Sequence, residues 1–196
     1  MVRTRDSSVS SADERILSAS AVLFARFGYH GVSTREIATS AGVNEITVFR
    51  HYTRKRELYL AVLEKELRQL RLSADQLETI AQSKNSSTAI KQAFAFLSTS
   101  LTREPHLLSL MHYSVLEANA DTDSLIRQLL FDSLESLSLC LEPWVKSGDL
   151  RCSNVWSVVF ALVSIAVIYR PLTQLFPGKI PESGVAFDSI SALWSI

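Results

Sequence analysis

Between Ser33 and Tyr52 the chain reads STREIATSAGVNEITVFRHY, and two helix starts stand there with a glycine between them. Ser33 with Glu36 three residues on has the spacing of a capping box, in which each side chain bonds the other residue's backbone N–H. Ile37, Ala38 and Ala41 follow at the repeat of a helix with one apolar face. Gly42 stops that helix, because a residue without a Cβ enters positive φ at little cost. Asn44 then caps a second short helix whose inward positions are Val48 and Tyr52. Two short helices joined by a tight glycine turn form a helix-turn-helix, and its second helix fits a DNA major groove.

Charge supports that reading once it is counted by segment. The 196-residue chain has 20 Lys/Arg and 20 Asp/Glu, a net charge of zero. Residues 1–56 nevertheless hold nine basic against five acidic residues, a net of +4, and residues 57–196 hold eleven against fifteen, a net of −4. A basic head on an acidic body suits a phosphate-binding unit joined to one with another task.

The rest of the chain has helical periodicity and no alternating strand. Residues 1–10 are a polar tail expected to be disordered. Ser11 with Glu14 opens the first helix, which directs Ile16, Leu23, Phe24 and Phe27 to one face up to Gly28. Thr53 is expected to cap a long fourth helix with Leu58, Val62, Leu63, Leu67 and Leu70 inward, running as far as the loop at 82–87. A fifth runs from about Thr88 to Arg103 with Ile90, Phe94 and Leu97 inward. Pro105 opens a sixth with His106, Leu110 and Tyr113. A long seventh runs from about Thr122 to Lys146 and carries Leu125, Leu129, Leu134, Leu137, Leu141 and Trp144. An apolar eighth spans Asn154 to Arg170 and is closed by Pro171. A short final helix lies near Phe187–Trp194. The fold class is therefore all-α: a three-helix helix-turn-helix head over residues 11–54, then a helical regulatory and dimerisation body over 55–196, about nine helices in total.

Several function classes are disfavoured. There is no G-x-S-x-G elbow, P-loop or dinucleotide-binding glycine fingerprint, so an enzyme is not expected, and no cofactor or metal site is implied. His106 and His112 stand six apart, a poor spacing for one metal on a helix. Two cysteines, Cys140 and Cys152, provide no disulfide framework and suit a reduced, cytoplasmic chain. Residues 1–15 lack an apolar signal segment, and the run from Val155 to Ile168 is shorter than the roughly 20 residues of a membrane span.

Residues 16–58, ILSASAVLFARFGYHGVSTREIATSAGVNEITVFRHYTRKREL, resemble the tetracycline-repressor (TetR) family of bacterial transcription regulators, and the likeness covers about residues 12–70. It rests on an apolar first helix, Phe, Gly, Ile-Ala, Ala-Gly-Val, Thr, an aromatic residue, then Tyr52, Lys55 and Leu58. The resemblance implies a homodimer that binds a palindromic operator and leaves it when a small molecule enters the body. Carried over by position, base-facing contacts fall on Arg35, Glu45, Ile46, Thr47, Phe49 and Arg50, and phosphate contacts on Thr34, His51 and Lys55. The chemistry agrees: an arginine donates two bonds to a guanine edge, Glu45 can accept from cytosine, and Ile46 or Thr47 can pack on a thymine methyl. Phe49 stands where the family usually has Tyr, and Arg56 where Glu is common.

The body carries many aromatic groups, and bundles hold ligands between helices. Phe94, His112, Tyr113, Glu117, Trp156 and Phe160 are the expected ligand contacts, for an apolar or aromatic effector that is neutral or cationic. The eighth helix is apolar around most of its circumference, so with the final helix (Phe187, Ile190, Leu193, Trp194) it is the expected homodimer interface. The alternative is a DNA-binding protein of the same fold controlled by a protein partner.

Overall fold

The computed structural model describes residues 11–103, 106–116 and 120–179. Among them are nine α-helices: α1 (Ala12–Phe27), α2 (Thr34–Ala41), α3 (Glu45–His51), α4 (Lys55–Arg68), α5 (Ala74–Ala81), α6 (Ser86–Arg103), α7 (Leu107–Leu116), α8 (Ala120–Lys146) and α9 (Val155–Leu175). The all-α architecture is the expected one. The tail at 1–10, Pro105, Glu117 and the expected final helix near Phe187–Trp194 lie outside the described residues. No helix among the described residues is long and apolar enough to cross a membrane.

The described residues pack as two units: 11–67 with those of 106–127, and 68–103 with 128–179. In the first, Ser11 and Glu14 form the capping box of α1, and Ser33 and Glu36 that of α2. Ile16 and Phe24 from α1, Ile37 from α2, Val48 from α3, Leu58 and Leu63 from α4 and Leu110 from α7 bury their side chains together. Phe24 meets the edge of Tyr59 with ring centroids 5.0 Å apart. Each such burial contributes about 1.5–3 kcal/mol, so this cluster, rather than helix propensity, holds the unit together.

In the second unit, Ile80 of α5, Ile90, Phe94 and Leu97 of α6, Leu137 and Leu141 of α8, and Val158, Val159 and Leu162 of α9 are buried. Ala89, Ala93 and Ala166 are buried as well, and small residues let helix backbones approach. Gly148, at φ 82°, turns the chain after α8. Leu150 then enters the core, and the Ser86 hydroxyl donates to the Asp149 carbonyl at 3.2 Å.

Four expectations need correction. The long fourth helix is two helices, because Ser73 with Gln76 forms a capping box that starts α5. A serine able to bond the backbone outside a helix competes with helix continuation there. Leu70 accordingly lies beyond the end of α4. Thr53 does not open α4: its N–H donates to Glu57 Oε2 at 3.0 Å, and the Arg54 carbonyl accepts the first bonds of the helix. Phe27 is 47% exposed at the last residue of α1, with the Arg26 guanidinium 5.0 Å from its ring. Finally, α9 continues through Pro171 to Leu175. A proline inside a helix costs about 3 kcal/mol, and burial of Val158, Val159, Leu162 and Ala166 on the same helix outweighs that.

Gly31 has a role that the chain's periodicity does not signal. A Cβ at that position would stand 2.2 Å from the Phe27 carbonyl oxygen, a contact no backbone atom can yield to cheaply. Ser20 has the opposite character: it is fully buried, and its hydroxyl has no hydrogen-bond partner among the described residues. Gly31→Ala should lower stability by about 1–3 kcal/mol through steric strain, and Ser20→Ala should raise it by up to ~1 kcal/mol by removing an unsatisfied hydroxyl. Urea unfolding of both variants checks the opposite signs.

Candidate nucleic-acid interface

The turn between α2 and α3 is built by main-chain bonds. Gly42 sits at φ 63° in the left-handed region, its N–H bonds the Thr39 carbonyl, and the Val43 N–H bonds the Ala38 carbonyl. Those two bonds satisfy the last carbonyls of α2 in a Schellman arrangement. One residue on, the Asn44 side chain accepts from the Ile46 N–H at 3.0 Å and starts α3. Ile37, Ala38, Ala41 and Val48 face the core. Of the seven residues of α3 only Val48 is buried, so the rest of that helix is presented outward.

The expected base contacts occupy this outward side. Arg35 and Arg50 are exposed, Ile46 is 76% exposed and Phe49 47% exposed. Water-exposed apolar groups of that size on a short helix suit contact with thymine methyls or sugar surfaces. Thr47 is half-buried beside Val48. Glu45 is half-buried at the first turn of α3 and accepts a 2.6 Å hydrogen bond from the Thr34 hydroxyl. An expected base contact and an expected phosphate contact therefore hold each other, joining the starts of α2 and α3.

The expected phosphate contacts are positioned by side-chain interactions. Lys55 begins α4 with its Nζ 4.3 Å from the centre of the Tyr29 ring, a cation–π arrangement that directs the ammonium. Its positive charge also contributes to holding the Glu36 carboxyl below the usual carboxylate range, after the larger effects of the Ser33 hydroxyl and backbone N–H bonds. His51 is exposed at the end of α3, with Nδ1 3.5 Å from Asp13 Oδ1. The same Asp13 oxygen accepts a 2.7 Å bond from the Tyr52 hydroxyl. Burial, reinforced by that bond and by the carboxylate's charge, pushes the Tyr52 phenol well above its ordinary value. Asp13 thus ties α1 to the end of the helix that would read bases. It lies 39 residues from Tyr52, and no local pattern links the two.

The expected ligand contacts that the structure describes are divided between the two units. Phe94 is buried, with its ring edge-on to Tyr169 at 5.9 Å. Trp156 lies stacked on Phe131 at 5.4 Å and 5.8 Å from Phe160, and both phenylalanines are at least half exposed. Tyr113 and His112 belong to the first unit, where the Tyr113 hydroxyl donates to the Arg26 carbonyl at 3.3 Å and His112 is exposed. A cavity of the second unit is lined by Leu70, Leu72, Leu97, Leu101, Leu130, Ser133, Leu134, Leu137 and Val163. Apart from Ser133 its walls are aliphatic, and its volume is about 30 Å³.

Residues 16–62 match the model described as bacterial regulatory proteins, tetR family. The chain is 28% identical over 162 residues to the HTH-type transcriptional regulator RutR of Escherichia coli O157:H7, across 81% of this chain and 73% of that protein. The hemolysin II transcriptional regulator HlyIIR superposes with a TM-score of 0.71 at 21% identity, across 94% of this chain and 97% of that one. FadR from Bacillus subtilis, solved with stearoyl-CoA, does so with a TM-score of 0.69 at 17% identity, across 91% and 95%. At these identities the structural likenesses show the fold.

The Tyr52–Asp13 bond gives a pH test. A phenol whose pKa is raised in the folded state stabilises fully below its ordinary value of 10.0, and that contribution fades as pH rises through the range above. Tyr52→Phe should cost about 0.5–1.5 kcal/mol at neutral pH. The gap between wild type and variant should narrow above pH 10.0, as read by chemical denaturation at a series of pH values.

Proposed function

Because the chain belongs to the tetR family of bacterial regulatory proteins and is a DNA-binding transcriptional regulator, we propose that it is a repressor released from a palindromic operator by a small apolar effector. The observation that carries the DNA half of this reading is the outward presentation of Arg35, Ile46, Phe49 and Arg50 from a turn locked by Gly42 and Asn44. In this reading residues 11–54 read the operator and residues 55–196 regulate and dimerise. Arg35, Arg50, Thr47, Ile46 and Phe49 face bases, and Thr34, His51 and Lys55 face phosphates. Glu45 then acts through Thr34 as much as through a base.

Two copies would join through the α8–α9 surface, where Phe131, Trp156 and Phe160 form an exposed aromatic stack. Val159 is fully buried within its own unit, so the free face of α9 is the one bearing Phe160 and Ile168, which is 52% exposed. An isologous pair would cover that face.

For the effector, the aliphatic cavity supports an alkyl chain in preference to the aromatic compound expected from composition. Stearoyl-CoA, the molecule held by FadR, carries such a chain. A site for a drug-sized ligand measures about 300–1,000 Å³, against the roughly 30 Å³ present here. The helices around Leu134 and Leu137 must therefore part on binding, and that movement is what would weaken operator affinity, since a ligand shifts an equilibrium only by its differential affinity for two states. The small cavity also favours a second reading, in which a protein partner rather than a ligand controls the body.

A mobility-shift titration against the upstream intergenic DNA tests the proposal. Arg50→Ala should cost about 1–3 kcal/mol of discrimination. Lys55→Ala should weaken binding to all duplexes and make the salt slope shallower by about 1. Equal affinity for that DNA and for scrambled duplex would sink the specific-regulator reading.

A medium-chain fatty acid should raise the melting temperature and release the operator. Leu134→Phe, which fills the cavity, should block that response and leave DNA binding intact. Stabilisation by the acid without operator release would transfer control to the partner reading.

A further inference from the structure

A second concavity in the same unit shares no residue with the aliphatic cavity. It is a surface groove of about 430 Å³ lined by Ala81, Leu139, Cys140, Pro143, Trp144, Ser147 and Asp149. That volume falls within the roughly 300–1,000 Å³ of sites for small molecules, so no helix has to move for the groove to be filled.

Its chemistry has one sign. Among the described residues that line it, Asp149 is the only acidic or basic one. The Ser147 hydroxyl donates to Asp149 Oδ2 at 2.7 Å and steadies the carboxylate, and Oδ1 has no partner among the described residues. Lys146, on the neighbouring turn, is engaged by Glu142 at 3.1 Å. The carboxyl ends of two helices also meet here, α5 ending at Ala81 and α8 at Lys146, and each carries a partial negative charge. Trp144 supplies the aromatic surface. Its indole is half-buried in the wall and makes no ring or cation contact among the described residues, whereas Trp156 stacks on Phe131 and meets Phe160 at a tilt. Leu139, 62% exposed, and Pro143 supply apolar surface beside it.

We infer that this groove binds a small organic monocation with an apolar body, such as a quaternary ammonium compound. The Trp144 face and Asp149 would hold the charge, and Leu139 and Pro143 the apolar part. An aromatic face attracts a cation through its quadrupole, and a carboxylate beside it adds Coulomb attraction. An anion meets a carboxylate and two negative helix ends, and a divalent metal finds one carboxylate where it needs several oxygen ligands. The inference does not depend on the alkyl-chain effector proposed above, because the walls are different.

Calorimetric titration of the full chain with benzyltrimethylammonium, in the absence of DNA, tests it, with benzyl alcohol and benzoate as neutral and anionic counterparts. The cation should bind saturably, and the two counterparts at least about tenfold more weakly. Asp149→Asn, which keeps an oxygen to accept from Ser147 at an exposed position, should weaken the cation about tenfold, as should Trp144→Leu. Trp144→Phe should retain part of the affinity, and Leu134→Phe all of it. No saturable binding of the cation overturns the inference, as does benzyl alcohol binding equally well with Asp149→Asn without effect. Loss of cation binding in Leu134→Phe would move the site to the aliphatic cavity and overturn it as well.

Discussion

A helix of seven residues does not persist in water on its own, so α3 depends on what holds it. It contributes one fully buried side chain, Val48, to the cluster formed by Ile16, Phe24, Ile37, Leu58 and Leu63. The Gly42 turn sets its direction from behind, the Asn44 cap fixes its start, and the Tyr52–Asp13 bond fixes its end. Because so few of its residues are needed inward, Ile46, Phe49 and Arg50 are free to face outward. A longer, better-buried helix would hold itself more firmly and leave fewer side chains for DNA.

Polar bonds refine this arrangement rather than create it. The Thr34–Glu45 bond joins the starts of α2 and α3, and Lys55 is directed by the face of Tyr29. Each is a partly exposed interaction worth at most about 1 kcal/mol, small beside the burial of one core leucine. Their effect is on aim. A DNA contact displaced by an ångström loses its hydrogen bond while the fold is unaffected.

The second unit separates two kinds of apolar surface. Aliphatic side chains from α6, α8 and α9 meet inside and leave a small gap, while Phe131, Trp156 and Phe160 stack on the outside. An interior packed with leucine closes tightly because its side chains interdigitate in few rotamers. Large flat rings exposed at the surface have area to give to another molecule, and that is the physical basis for the proposal that they serve self-association.

Much of the head was legible in the residues because its determinants are local. Capping boxes at Ser11 and Ser33, the positive-φ glycine at 42, the Asn44 cap and the burial of Ile37, Ala38 and Val48 all follow from side-chain chemistry within four residues or from the helical repeat. Ser73 with Gln76 carried the same signal, so the break between α4 and α5 was readable too, although unbroken leucine periodicity pointed the other way. What only the tertiary structure decided involves residues far apart in sequence. Asp13 meets Tyr52 across 39 residues. The leucine lining of the small cavity, and the passage of α9 through Pro171, were set by which helix faces came to oppose one another. Periodicity states that a face is apolar; only packing determines what that face meets.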